Sequence, residues 1–426
     1  MQNNILNVHY EKFTLNNGLE VILYRDKTIP LAAVNIWYKV GSANEKRGKT
    51  GLAHLFEHMM FQGSQNVKKE EHFRYIEEIG GRLNGSTSFD RTNYYETVPS
   101  TFLETALWLE SDRMGFFLPA LTQEKLDNQK DVVMNERRQR YDNQPYGLAW
   151  ELIFQNLYPA EHPYSWQTIG FMEDIKKFEL EDARDFFERY YAPNNASLVV
   201  AGDIDFQKTK ELVKKYFDEI PSGNKIEKVD NARPALDETK QIVHRDDVYL
   251  PRLHLVWHSD KIFGEDDAAL DVLSDILTGS KNGRLHKRLV YEKQISQDIG
   301  AFQFSAKYYG PFVIYSTAKP GVKLETIREE IFDELEIIKE EGVKEEELTR
   351  ARNSIKSTFI FSLQNIDTLA NQLNNYNFFR NEPNSFSYDL ERYNNVTGDK
   401  IVEVIEKYLE KPYVELAVLP KEKNIE

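Results

Sequence analysis

His54, Glu57 and His58 are the residues whose types and spacing point most directly to chemistry. They lie in the run TGLAHLFEHMMFQG, Thr50 to Gly63, where every other residue between Gly51 and Phe61 is apolar or glycine. The run reads as one short helix with Thr50 as its N-cap and Gly63 as its C-terminal stop. Offsets of three and four place the three ionisable side chains on one face. Apolar residues on all sides mark a helix buried over most of its surface. Ionisable groups in such a setting are costly without partners. Two imidazoles one turn apart can share a metal ion, and a carboxylate beside them can work on a water bound to that ion. A satisfied His–Glu pair in a helix core is the plainer alternative, but three such groups in a turn and a half favour the metal.

Two histidines leave a tetrahedral site one protein ligand short. The chain has no cysteine, so the missing ligand must be a histidine or a carboxylate, and disulfides are excluded. Glu70, Glu77, Asp90, Glu96, Glu110, Asp127, Asp131 and Glu136 are all available. Glu136 has one physical argument in its favour. On the helix predicted over Thr122 to Tyr141 it projects close to Val132 and Val133, the face expected to turn inward, while Asp127 and Asp131 lean away.

The elements that must position these groups are of mixed type. Strands are predicted over Phe13 to Tyr24, broken by a hairpin turn at Asn17-Gly18, and over Pro30 to Val40. The buried helix follows, then a helix over Glu70 to Ile79. Two strands are predicted within Arg82 to Val98, and a helix over Ser100 to Gly115. Pro145 to Gly170 reads as an aromatic loop. A helix over Leu180 to Tyr191, a buried strand over Ala196 to Ala201 and a helix over Phe206 to Phe217 close this half. Ile220 to Leu236 carries Pro, Gly, Ser and mixed charge and reads as a linker. Strands at Lys240 to His244 and Leu253 to His258, helices at Asp266 to Thr278 and Gly283 to Tyr291, and strands at Ile299 to Phe304 and Phe312 to Thr317 then repeat the order. Charged helices over Lys323 to Glu341 and Glu345 to Gln364 follow. Ile175 to Asp203 and Val396 to Pro420 share a helix–loop–buried strand ending, offset by about 220 residues, longer than a solenoid repeat. The expected architecture is α+β: two homologous domains, 1–222 and 240–426, joined by a linker at 223–239, each a mostly antiparallel sheet with helices on one face.

Composition narrows the function. A formal charge of −15 argues against nucleic acid. No apolar run approaches a membrane span. The N-terminus MQNNILNVHYEKF lacks a basic and an apolar export region, so the expected compartment is cytoplasmic, or periplasmic if a signal has been removed.

His54-Leu-Phe-Glu57-His58 resembles the His-x-x-Glu-His signature of the inverted zinc peptidases, the family of pitrilysin, insulin-degrading enzyme and mitochondrial processing peptidase. Val40-Gly41-Ser42 with Glu45, Gly51-Leu-Ala, Gly80-Gly81-x-x-Asn84 with Thr87, and Val132-Val-Met-Asn-Glu136 are similar to further parts of its pattern, so the likeness spans nearly the whole chain. It implies half of a clam-shell peptidase holding one Zn2+ per chain. His54, His58 and Glu136 resemble the zinc ligands and Glu57 the general base. The stretch Asn84, Gly85, Ser86 and Thr87 resembles the substrate-binding strand, which would hold an extended peptide by strand addition.

Two departures stand out. A second acid before the third ligand is replaced by Gln129, whose amide can still hydrogen-bond behind the ligands, so tuning rather than loss is expected. The family's Arg and Tyr, which steady substrate and oxyanion, fall here on Val290 and Gln297 when aligned on Gly283-Arg284-Leu285. Arg284 and Tyr291 share the spacing of seven but sit one element early and read as structural. The resemblance therefore implies a companion chain of the same fold supplying the Arg/Tyr half-site, a heterodimer. A self-sufficient homodimer is one alternative, and a non-catalytic scaffold like the core subunits of respiratory complexes is another. His254 and His258 are four apart on a strand, about 13 Å, too far to share an ion. His72, His162 and His286 read as surface or loop residues. Gly279 to Gly283 lacks the Gly-Lys-Ser/Thr of a phosphate loop, and Lys339 to Glu347 reads as a solvated helix junction.

Overall fold

The computed structural model describes residues 8–226 and 233–422. The middle of the expected linker, 227–232, and the first seven residues of the N-terminus lie outside them. Two compact units emerge, each drawn from three stretches. Met1–Arg137, Trp166–Asp230 and Ile360–Ser387 make the first; Arg138–Ser165, Asn231–Phe359 and Tyr388–Glu426 make the second. A linear division at 223–239 groups 138–165 with the first half and 360–387 with the second; by compactness each packs with the other unit.

In the first unit, strands β1 (Tyr10–Thr14), β2 (Glu20–Arg25), β3 (Leu31–Tyr38), β4 (Arg82–Thr87), β5 (Thr92–Pro99) and β6 (Ala196–Gly202) form one sheet in the order β1-β2-β6-β3-β5-β4. All neighbours are antiparallel except β2 and β6. The β1–β2 connection contains Gly18 at φ +92°, as a tight hairpin turn asks. Helices α1 (Leu52–Met59), α2 (Glu71–Glu78) and α3 (Leu103–Phe116) pack on one face, and α4 (Gln123–Arg137) packs on α1. Val34, Ile36 and Tyr38 of β3 face that side and are fully buried.

In the second unit, β7 (Lys240–Asp246), β8 (Arg252–His258), β9 (Ser296–Gln303), β10 (Pro311–Ala318) and β11 (Val414–Pro420) run in the order β7-β11-β8-β10-β9. Only β7 and β11 are parallel. Strand for strand, in order and direction, this is β2-β6-β3-β5-β4 again, the duplication expected from the matching endings. Leu253, Leu255 and Trp257 of β8 form its core with α9 (Asp267–Thr278) and α10 (Leu324–Glu341).

Each sheet is also covered on its second face, by helices that periodicity missed. In the stretch read as aromatic loop, α5 (Ala149–Leu157) forms and packs on β8 and β11. After α6 (Met172–Lys176), α7 (Leu180–Tyr190), α8 (Phe206–Phe217) and α11 (Glu345–Ser362), helix α12 (Ile366–Arg380) crosses the first sheet. It is seated by amides: Trp37 Nε1 donates to Asn371 Oδ1 (3.0 Å), Asn374 Nδ2 to Asn35 O (2.9 Å) and Asn377 Nδ2 to Ser197 Oγ (3.0 Å). Helices α13 (Phe386–Asn394) and α14 (Gly398–Val404) precede β11. The helix expected over Gly283 to Tyr291 is a π-turn, His286–Glu292. Among the described residues no helix is long and apolar enough to cross a membrane.

Candidate metal centre

Helix α1 is shorter than the sequence suggests, and its cap is different. It enters through Gly51 at φ +91°. Thr50 does not cap it; its hydroxyl donates to Asp174 Oδ2 (2.8 Å) and accepts from the Phe171 N–H (2.9 Å). The cap comes from Glu45, whose carboxylate accepts from the N–H groups of Gly51 (2.9 Å) and Ala53 (2.7 Å) and from Trp166 Nε1 (3.0 Å). An acid side chain there satisfies orphan N–H donors of the first turn. Burial pushes the Glu45 carboxyl up to about 8, against the pull of those three donors. The helix ends at Met60, before Gly63.

The two imidazoles of α1 meet the last turn of α4. His58 Nε2 lies 3.3 Å and His54 Nε2 3.8 Å from Glu136 Oε2, and the ligand atoms of all three fall within 4.8 Å of one another. Ligands about 2.0–2.2 Å from a tetrahedral zinc sit roughly 3.3–3.6 Å apart; the donor set suits that ion, His58 and Glu136 stand at that spacing (3.3 Å), and His54 stands slightly wider (3.8 Å). Glu136 is brought in by the face carrying buried Val133; Val132, expected on the same face, is 40% exposed. Asp127 and Asp131 point to solvent. Gln129 is buried two turns before Glu136, and its Nε2 donates to Asn128 Oδ1 (2.9 Å).

Glu57 points to strand β4. Thr87 Oγ1 donates to Glu57 Oε2 (2.6 Å). Burial raises the Glu57 carboxyl above its ordinary value; the Thr87 hydroxyl, His58 and Arg91 oppose that shift and Glu136 adds to it. Gly85 is side-chain-free where a β-carbon would come 3.1 Å from Glu57 Cγ and 3.3 Å from Phe61 and Tyr94.

Strand β4 is the sheet edge nearest the site and, among the described residues, pairs only with β5. The Ser88 N–H donates to Arg91 O (2.8 Å) just beyond the ladder. Bonded pairs alternate along an antiparallel ladder, so Gly85 and Thr87 turn their backbone N–H and C=O outward to the open edge. Asn84 and Ser86 turn theirs to β5. The exposed Asn84 side chain accepts from the Gly85 N–H (2.9 Å). The Ser86 hydroxyl lies on the far face, bonded to Asn93 and Arg91 (both 2.6 Å).

Residues 20–162 match the profile described as Insulinase (Peptidase family M16), and residues 177–355 match Peptidase M16 inactive domain. This chain belongs to the M16 peptidase family. The M16 chain is similar to the zinc protease PqqE of Helicobacter pylori, with 33% identity over 374 residues, 86% of this chain and 83% of that one. A crystal structure of a protease from Helicobacter pylori matches it with a TM-score of 0.91 at 30% identity, covering 97% of this chain and 100% of that chain. The probable mitochondrial-processing peptidase subunit beta of Arabidopsis thaliana is 26% identical, over 84% of this chain and 68% of that protein. The periplasmic protease PqqL from Escherichia coli shares the fold (TM-score 0.80, 18% identity), with 97% of this chain matching 48% of that one. This chain thus spans about half the length of that protein.

Elsewhere in the M16 chain, His72 corrects its surface reading. It is buried, with Nε2 3.2 Å from Glu96 Oε1, beside Glu110. Here Arg113 stands where a cation would, donating to both Glu96 (3.0 Å) and Glu110. His162 is also buried, stacked on Tyr158 at 4.6 Å. His254 and His258 lie along β8, as expected. Arg284 is held by Glu347 (2.7 Å), the Gly342 carbonyl (3.1 Å) and Glu334 (3.6 Å). Tyr291 is half-exposed beside His286. Val290 packs on the core of the second unit, and Gln297 is exposed.

Proposed function

We propose that this chain is the zinc-carrying subunit of an endopeptidase that cleaves extended peptides or unfolded polypeptides. The observation that carries the reading is the convergence of His54, His58 and Glu136 beside Glu57, next to an open strand edge. Zinc held there would supply a Lewis acid for the scissile carbonyl and make water acidic enough to lose a proton near neutral pH. Glu57 is the base: it takes the proton from the attacking water and delivers it to the departing amine. It stays out of the ligand set, because a fourth protein ligand would close the site. The outward backbone groups of Gly85 and Thr87 hold the substrate as an added strand, with Asn84 swinging off the Gly85 N–H to admit it. Backbone recognition tolerates many sequences but demands an extended chain.

A companion chain of the same fold completes the active site. The locked Arg284, and the absence of Arg and Tyr at 290 and 297, support this part of the reading. The decisive experiment measures bound zinc and cleavage of an unstructured peptide, with and without chelator, for the chain alone and mixed with an M16 chain bearing Arg and Tyr at those positions. About one zinc per chain and chelator-sensitive cleavage only in the mixture are expected. A stable fold without zinc would return the chain to the scaffold reading, and full activity alone would remove the companion.

A further inference from the structure

The ligand-bearing helices α1 and α4 are joined by a loop that carries no ligand. Gly170 stands at φ +75° against Gly51 at φ +91°, backbone to backbone. A β-carbon on Gly170 would fall 2.4 Å from Gly51 Cα and from Thr50 O; one on Gly51 would fall 2.7 Å from Ile169 O. Neither position has space for a methyl group, and both hold a backbone conformation that favours glycine. The Gly170 carbonyl accepts from Arg137 Nη1 (2.7 Å), on the residue next to Glu136. One residue further on, the Phe171 N–H donates to Thr50 Oγ1 (2.9 Å), four positions before His54, and Thr50 is tied in turn to Asp174 (2.8 Å). Arg137, Thr50 and Asp174 are all buried.

We propose that the Ile169–Phe171 loop is a spacer that sets the separation of α1 and α4, and so the affinity of the site for zinc. Gly51, Thr50, Gly170 and Arg137 are its positioning residues. The inference rests on the zinc reading above and adds where the site's preorganisation resides. The spacer touches the N-terminal end of α1 and the C-terminal end of α4, the two ends whose approach decides whether Glu136 reaches both imidazoles. Three ligands held at working distance before the ion arrives cost less to organise when it binds, as with groups that orient ligands from behind.

The test is zinc affinity, measured by competition with a chromophoric chelator on the full chain, independent of peptide cleavage. Arg137→Met removes one end of the spacer and Thr50→Val the other, both near-isosteric in their apolar parts. Each is expected to weaken zinc about tenfold or more while circular dichroism of the zinc-free protein is unchanged. Because both act through one loop, the double variant should lose little more than either single one. Gly170→Ala should weaken zinc further if it folds; the first two variants carry the test if it does not. Zinc affinity within twofold of the unaltered chain for both single variants, or losses that simply add, would overturn the spacer. An unaltered chain that binds no zinc would instead sink the metal reading itself.

Discussion

Thr87 Oγ1 lies 2.6 Å from Glu57 Oε2, so one hydrogen bond joins the open strand edge to the carboxylate beside the metal ligands. The strand that would hold the peptide thereby orients the group that would move the proton. A hydrogen bond to a charged group contributes about 1.5–3 kcal/mol. Thr87→Val, which keeps the shape and loses the donor, should lower kcat by about tenfold or more at unchanged zinc content. Thr87→Ser should recover most of it. Steady-state kinetics with metal analysis on the same samples decides the matter, and an unaffected kcat in the valine variant removes Thr87 from the mechanism.

Glu57→Gln keeps the size and the Thr87 neighbour but removes the base. Turnover by the complete peptidase should drop about 10²–10⁴-fold, with zinc still near one per chain. Hydrolysis retained at the parental rate refutes the role assigned to Glu57.

Metal binding couples to folding, because ligands spread over α1 and α4 are assembled only in the native state. Zinc at about 100 times its Kd should stabilise the chain by about 2.7 kcal/mol. Calorimetry should show the transition rise with zinc and fall back with chelator, and Glu136→Gln should abolish most of that response. An equal response in the variant places the ion elsewhere.

Arg284 has its guanidinium engaged by Glu347 and Glu334. Its removal leaves Glu347 with only the Lys344 N–H (3.1 Å), while Glu334 keeps Arg288 (3.1 Å). Arg284→Ala should therefore destabilise the second unit by about 1–3 kcal/mol in urea unfolding. Zinc affinity, and the activity per folded molecule in the presence of the companion chain, should be unchanged. A large loss of activity with little loss of stability reverses the assignment and makes Arg284 a substrate-contacting group.

Burial pushes His254 down to about 3, and His258 and His162 to about 4, all in the second unit. Between those values and about 6.5 the unfolded chain binds more protons than the folded one. Stability from these neutral histidines is thus complete above about pH 6.5 and is lost as pH falls toward 4 and below. His254 alone contributes pH-dependent stability on the order of a few kcal/mol. Unfolding free energies at pH 7.5, 6 and 5 should fall steadily, and His254→Leu should flatten the slope. A slope unchanged in that variant removes His254 as its source.

Much of this was legible in the chain as written. His54, Glu57 and His58 betray themselves because ionisable groups in an apolar turn require a partner, and their spacing on one helix follows from 3.6 residues per turn. The strands of both sheets are legible through branched and aromatic runs between turn residues, and the duplication through matched endings. These are local properties, set within a dozen residues. Glu136 was legible less securely: the inward face was rightly judged by Val133 and wrongly by Val132, since the packing of α4 on α1 decides which side of a helix is buried.

What the fold alone decided are the relationships across long separations. The cap of α1 is Glu45, because a loop brings that carboxylate back to Gly51 and Ala53, where Thr50 is drawn away by Asp174. His72 is buried, because β5 and α3 supply Glu96 and Arg113. Helix α12 buries Asn374 and Asn377 beside Ile366, Leu369, Leu373 and Tyr376, and the two amides bond to Asn35 and Ser197, 339 and 180 residues away in the chain. Gly170 carries no pattern of its own. Its role arises only where two backbones meet with no space for a side chain. Periodicity reports which side of an element avoids water, whereas the identity of the group on the other side of each contact is set by how distant elements pack.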